Sequence, residues 1–231
     1  MSMSTKLFVG LKLGSWTLLF TAFMEILSFQ HVTALLHERN GKLLFSLGWV
    51  MNIVNNLMIG PLTYYLVSTY VTSKASGGSE LVTMASALNV TLGHAVGYWI
   101  AHIMMHERYL YLYWIHKFHH RFNKIVIPSS ANAVSTAEYV FAYMLPFVFT
   151  SLITRPSERS LILSASIVSV CNIAVHTPIL ETMSTFLPWY LVSTNDHLQH
   201  HKIQKTNYAA PTFSVDRIIN RLVSFHEDRY Q

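Results

Sequence analysis

Eight of the thirteen histidines in this chain fall into three short boxes: His102/His106, His116/His119/His120 and His197/His200/His201. Side chains three or four residues apart share one face of a helix, so each box gathers its imidazoles on one side. Neighbours such as His119 and His120 diverge by about 100° on a helix, so one can serve one metal ion and its neighbour another. Eight imidazoles exceed the four ligands of a closed zinc site, which points to two ions. Neutral imidazole suits iron, zinc, copper and nickel alike, so the ligands alone do not name the metal. One His-x-x-His-His can arise by chance, but two in one chain rarely do.

Residues around the boxes extend the set. His176 lies in an apolar run near its box-side end, where polar groups are costly and tend to be functional, and is expected to be a ninth ligand. Asn172, four residues earlier, reads as an outer contact or a helix-packing amide. Asp196 could orient an imidazole or cap a helix. Glu138, the sole acid between Arg121 and Arg155, could orient an imidazole or pair with a base. His94 is about 12 Å down the helix from His102 and too deep to share its ion. His31, His37 and His226 belong to no box and read as interfacial or solvated.

Other chemistries lack their signatures. His37-Glu38, His106-Glu107 and His226-Glu227 begin like a zinc-protease motif, but Gly41, Leu110 and Tyr230 stand where its second histidine is needed. There is no Gly-x-Ser-x-Gly elbow and no Gly-x-Gly-x-x-Gly fingerprint. The single cysteine, Cys171, rules out a disulfide framework and any Cys-x-x-Cys site.

The elements that must position the boxes are membrane helices. Of 231 residues, 52% are hydrophobic and 12% charged, where an ordinary soluble domain has roughly a quarter charged. Residues 13–24, with flanks to Phe29, make a first span. Residues 43–73 carry no charge, more than the roughly 20 residues a spanning helix needs, with a kink expected at Gly60-Pro61. Residues 81–101 lead into His102, and 139–154 and 160–180 are joined by a turn over Arg155–Arg159. Lys6, Lys12 and Glu25 interrupt the first run, which argues against a cleaved signal peptide. The C-terminus shows no retrieval or lipidation signal.

If the last two runs form a down-and-up hairpin, all three boxes meet at one membrane face. Lys117, Arg121, Lys124, Lys202, Lys205, Arg217 and Arg221 gather there, which makes that face cytosolic. The net charge of +5 follows from such flanks and not from nucleic-acid binding. Tyr109, Tyr111, Tyr113 and Trp114, with Trp189 and Tyr190, read as an interfacial belt or a tunnel wall. The expected fold is an all-α integral membrane protein of four to five embedded helices with a cytosolic histidine-rich cap. Residues 1–80 supply N-terminal membrane helices, and 81–231 form a histidine-box domain folded with them as one unit. Neighbouring readings are a divalent-metal transporter, disfavoured because the ligands sit at one face, a bis-histidine haem protein, and a catalytically idle metal-binding scaffold.

The boxes resemble those of the fatty acid hydroxylase/sterol desaturase superfamily of membrane di-iron oxygenases, from about Tyr98 to Ile219. The likeness is carried by His102-x-x-x-His106, His116-Lys117-Phe118-His119-His120, Glu138-Tyr139, the lone His176, the late His-x-x-His-His, Asn207-Tyr208 and Asp216-Arg217. Departures from its usual pattern are Ile103 for arginine, Thr136-Ala137 for His-Pro, Ala209 for glycine and Val215 for tryptophan; none is a box histidine. The resemblance implies two iron ions held by the nine histidines, which then are also the catalytic residues. It also implies dioxygen as oxidant, a cytochrome b5-type donor with its reductase, and a sterol or fatty-acyl substrate hydroxylated or desaturated, usually at the endoplasmic reticulum.

Overall fold

A computed structural model describes residues 3–73, 79–107 and 111–227. Tyr109 and Gly77-Gly78 lie outside the described residues, as does the side chain of His226. The helices are α1 (Met3–Leu27), α2 (Phe29–His37), α3 (Gly41–Tyr70), α4 (Glu80–His106), α5 (Leu112–His116), α6 (Thr136–Thr154), α7 (Glu158–Val175), α8 (Thr194–Ile203) and α9 (Val215–Glu227). Among the described residues there is no strand, only an isolated bridge between Leu191 and Phe213.

Four of these helices, α1, α3, α6 and α7, are long and apolar enough to cross a membrane. They are patterned for lipid. On α1, Gly10, Gly14, Thr17 and Thr21 are buried while Trp16, Leu19, Phe23 and Ile26 face outward. Small and weakly polar residues inside and large apolar ones outside is the arrangement of helices packing in a bilayer, where close van der Waals approach replaces hydrophobic exclusion. Gly10 and Gly14 seat α1 on α3: a Cβ at Gly14 would lie 1.8 Å from the Asn56 carbonyl oxygen. Gly97 seats α4 on α6 in the same way, with Pro146 2.8 Å from where its Cβ would stand.

Two prolines explain two irregular turns. A proline inside a helix has no N–H to give and its ring crowds the carbonyl four residues back. Before Pro61 the chain widens to a π-turn at Asn55–Ile59, and before Pro146 it does so at Tyr139–Met144. The break expected at Gly60-Pro61 is therefore a π-bulge within one continuous span. The α6–α7 turn forms where expected, with Arg155 left-handed and Ser157 capping α7.

Residues 126–134 are buried yet irregular, with only a 3-10 turn over Pro128–Asn132. Buried backbone at this depth must find partners in protein. Asn52 Nδ2 donates to the Ser129 carbonyl at 2.6 Å and Asn55 Nδ2 to that of Val134 at 3.0 Å. From the other side, Asn172 Nδ2 donates to the Ala131 carbonyl at 3.0 Å. The segment separates the second histidine box from Glu138, so these three asparagines fix both.

Candidate metal centre

The three boxes and His176 converge at one end of the bundle. His102 and His106 end α4, and His116 ends α5. His119 and His120 follow on a 3-10 turn rather than on one continuous α-helix, and His197, His200 and His201 lie on α8. His176 stands just past the last residue of α7. The nine fall into two groups, His102/His106/His116/His120/His200 and His119/His176/His197/His201, the ligand atoms in each lying within 4.8 Å of one another. His119 and His120 part company between the groups, as do His200 and His201.

Four rings are oriented by hydrogen bonds from Nδ1. His116 donates to Glu138 Oε1 at 2.6 Å, while His102, His176 and His200 donate at 2.7 Å to the carbonyls of Tyr208, Asn172 and Thr206. An imidazole that gives its Nδ1 proton away keeps a lone pair on Nε2, the usual second contact of a metal-bound histidine. Burial, with smaller contributions from neighbouring histidines, holds the pKa values of His116, His119, His120, His197 and His201 below the ordinary histidine value. Burial also takes His176 and His200 down to about 4. These rings are neutral at pH 7 and available as ligands.

The spacing fits an ion. His102 Nε2 and His116 Nε2 face one another at 3.1 Å, and His120 Nε2 lies 2.8 Å from His116 Nε2 and 3.2 Å from His106 Nε2. Since His102 and His116 spend their Nδ1 protons elsewhere, two lone pairs meet there with no proton between them. Nitrogens about 2.1 Å from a shared cation stand roughly 3.0–3.4 Å apart in octahedral or tetrahedral shells, so a metal at the centre turns that repulsion into ligation. The buried Nε2 atoms of His119, His200 and His201 likewise have no hydrogen-bond partner.

The remaining candidates separate cleanly. His94 joins neither group and packs among Tyr98, Tyr143 and Phe147. Asn172 reaches the site through its backbone carbonyl, not its amide. Asp196 is neither an imidazole partner nor the N-cap: Ser193 is the cap of α8, and Asp196 closes a capping box with it while taking a 2.5 Å bond from Arg217. His37 is exposed and His31 intermediate. The carbonyls of Thr206 and Tyr208 were not legible in the sequence, because a backbone group carries no residue signature. Asp216 was also missed as a tie: it accepts from Trp99 Nε1 at 3.0 Å and from the Ala209 N–H at 2.6 Å. It thereby fixes the loop that orients His102.

An all-helical membrane chain with two histidine groups at one end of its bundle is the class defined so far. The family model for fatty acid hydroxylase matches residues 87–221, more than half of the sequence. The chain belongs to the fatty acid hydroxylase family, and is therefore an integral membrane protein of an oxidoreductase family that acts on lipids. Comparison with curated proteins and with solved structures finds no match.

Proposed function

We propose that this protein is a membrane-bound non-haem di-iron oxidoreductase that uses dioxygen to hydroxylate or desaturate a sterol or fatty-acyl lipid. The observation that carries the reading is the division of nine converging histidines into groups of five and four. When bound, two iron ions supply the activation of dioxygen needed to attack an unactivated C–H bond. The chain's own residues do the rest. Glu138 and the Tyr208, Thr206 and Asn172 carbonyls hold four imidazoles in the ligating tautomer. Burial keeps the rings neutral, so that a lone pair on each stays free for a metal.

The clustered cations on the histidine-bearing face support a cytosolic orientation, and with the family they support an endoplasmic reticulum enzyme fed by a cytochrome b5-type donor and its reductase. Residues 1–80 and 81–231 act as one folding unit, because Asn52 and Asn55 of the first part hold the 126–134 segment of the second. The test is His119→Ala. Metal-dependent lipid oxidation, read by comparing lipid profiles of cells carrying each variant, should disappear while the protein remains membrane-inserted. Full activity in that variant would sink the reading, and metal flux through vesicles would favour a transporter.

A further inference from the structure

A cavity of about 450 Å³ opens onto the five-histidine group, with His106, His116 and His120 in its wall. No member of the four-histidine group lines it, and His106 is the one member of either group that is not fully buried. Leu35, Leu44 and Ile125 give the cavity an apolar side. Its rim is cationic: Arg39, Lys117, Arg121 and Lys124 are all exposed there, against the single carboxylate of Glu38. Among the described residues only Lys124 of these four has a carboxylate partner, Glu38 at 3.2 Å. That pair is solvent-exposed and so contributes little to holding the mouth closed.

Cations at a membrane face are ordinarily accounted for by topology alone. Here two of them also border the site in sequence, Lys117 following His116 and Arg121 following His120. Their charged groups lie over aromatic rings, Lys117 Nζ 4.9 Å from the Trp114 ring centre and the Arg121 guanidinium 6.0 Å from that of Phe118. Such contacts favour a defined position for each cation over free solvation. A cationic rim, an apolar side and a histidine floor are complementary to one kind of molecule.

We infer that this cavity binds an amphiphile with an anionic head group, a carboxylate or phosphate held by Arg39, Lys117 and Arg121 while the adjoining carbons lie against Leu35 and Leu44 beside the histidines. The inference rests on the oxygenase reading only for the meaning of the histidine floor. It narrows the substrate class to acidic lipids, to the exclusion of neutral sterols.

The test uses the full chain, metal-loaded, in nanodiscs of neutral lipid without any electron donor. A spin-labelled long-chain fatty acid is compared with its methyl ester. The acid should bind at least about tenfold more tightly, weakening as salt is raised, since the difference is a charge-assisted contact at a screened surface. The paired substitution Arg39→Gln and Arg121→Gln should remove that advantage and leave ester binding unchanged. Lys205→Gln, on the same face but outside the cavity, should leave both unchanged. Equal binding of acid and ester overturns the inference, as does an equal loss in Lys205→Gln. Competition by inorganic phosphate at the same concentration would assign the rim to a free anion, and binding of a soluble acidic protein in place of every amphiphile would assign it to a partner; either result also overturns it. Metal content measured on the same samples tells the two readings apart: absent metal counts against the oxygenase, whereas lost acid selectivity with metal retained counts against the amphiphile site.

Discussion

His116 Nδ1 donates to Glu138 Oε1 at 2.6 Å, and both side chains are buried. The other carboxylate oxygen of Glu138 has no hydrogen-bond partner, so this acid reaches the site through a single imidazole. Glu138→Gln keeps the shape and replaces the carboxyl group by an amide. Losing such an outer partner typically weakens metal binding by about 10- to 100-fold. Chelator competition should therefore show one ion, that of the five-histidine group, released early and the other retained. Equal retention of both ions would show that Glu138 does not act through His116.

The four-histidine group is tested by His176→Ala. It removes one of four rings and leaves His197 Nε2, now 2.8 Å from His176 Nε2, without that neighbour. Metal content should fall from two ions to one per chain, with loss of lipid oxidation. His94→Phe, which changes a buried ring outside both groups, should keep both ions. Metal content is read by elemental analysis of purified protein, and a full complement in His176→Ala would remove it from the ligand set.

Metal removal should also lower stability. The Nε2 lone pairs of His102 and His116 face one another at 3.1 Å, an arrangement that a cation relieves. A ligand that binds only the folded state stabilises it by about 2.7 kcal/mol at a hundredfold excess over its dissociation constant. Stripping the protein with a chelator should lower the melting temperature in detergent, and restoring metal should recover it. An unchanged melting temperature would mean that the rings do not depend on an ion for their geometry.

What the sequence made legible follows from regular geometry. The 100° step of a helix separates His200 from His201, and these fall into different groups. Uncharged length marked α1, α3, α6 and α7, and Arg155–Arg159 marked the turn between the last two. Uncharged length also marked 81–101, whose helix α4 is not among the four long and apolar enough to cross a membrane. The rest depends on where the backbone travels. The His-x-x-His-His of the second box sits on a chain that tightens from α to 3-10, which side-chain spacing does not reveal. The buried segment 126–134 has neither helical nor strand periodicity, and its partners Asn52, Asn55 and Asn172 lie far away in sequence. Asp196 read equally well as a cap or an imidazole partner, because both use the same carboxylate; Ser193, three residues earlier, decides for the capping box.

That capping box gives a local test. Ser193 Oγ accepts from the Asp196 N–H at 3.2 Å at the start of α8, the helix that carries the third box. Ser193→Ala should destabilise the protein by about 1 kcal/mol, the usual cost of losing an N-cap. The effect should appear as faster amide exchange in 194–203 than in α7. Uniform exchange in both helices would show that α8 is held by its histidines and not by its cap.

The crossing of α1 and α3 should matter to the metal centre although neither Gly14 nor Asn56 belongs to a histidine group. Adding a methyl group at Gly14 puts a Cβ 1.8 Å from the Asn56 carbonyl oxygen, so the two helices must part. Asn52 and Asn55 ride on the same stretch of α3 and hold the carbonyls of Ser129 and Val134. Displacing them strains the segment between the second box and Glu138. Gly14→Ala is expected to cost about 1–3 kcal/mol, as overpacking does, and to lower metal retention in parallel. Ser15→Ala, at an exposed neighbour on the lipid side, should change neither. A Gly14→Ala protein with reduced thermal stability but full metal content would show that α3 can shift without carrying the 126–134 segment with it.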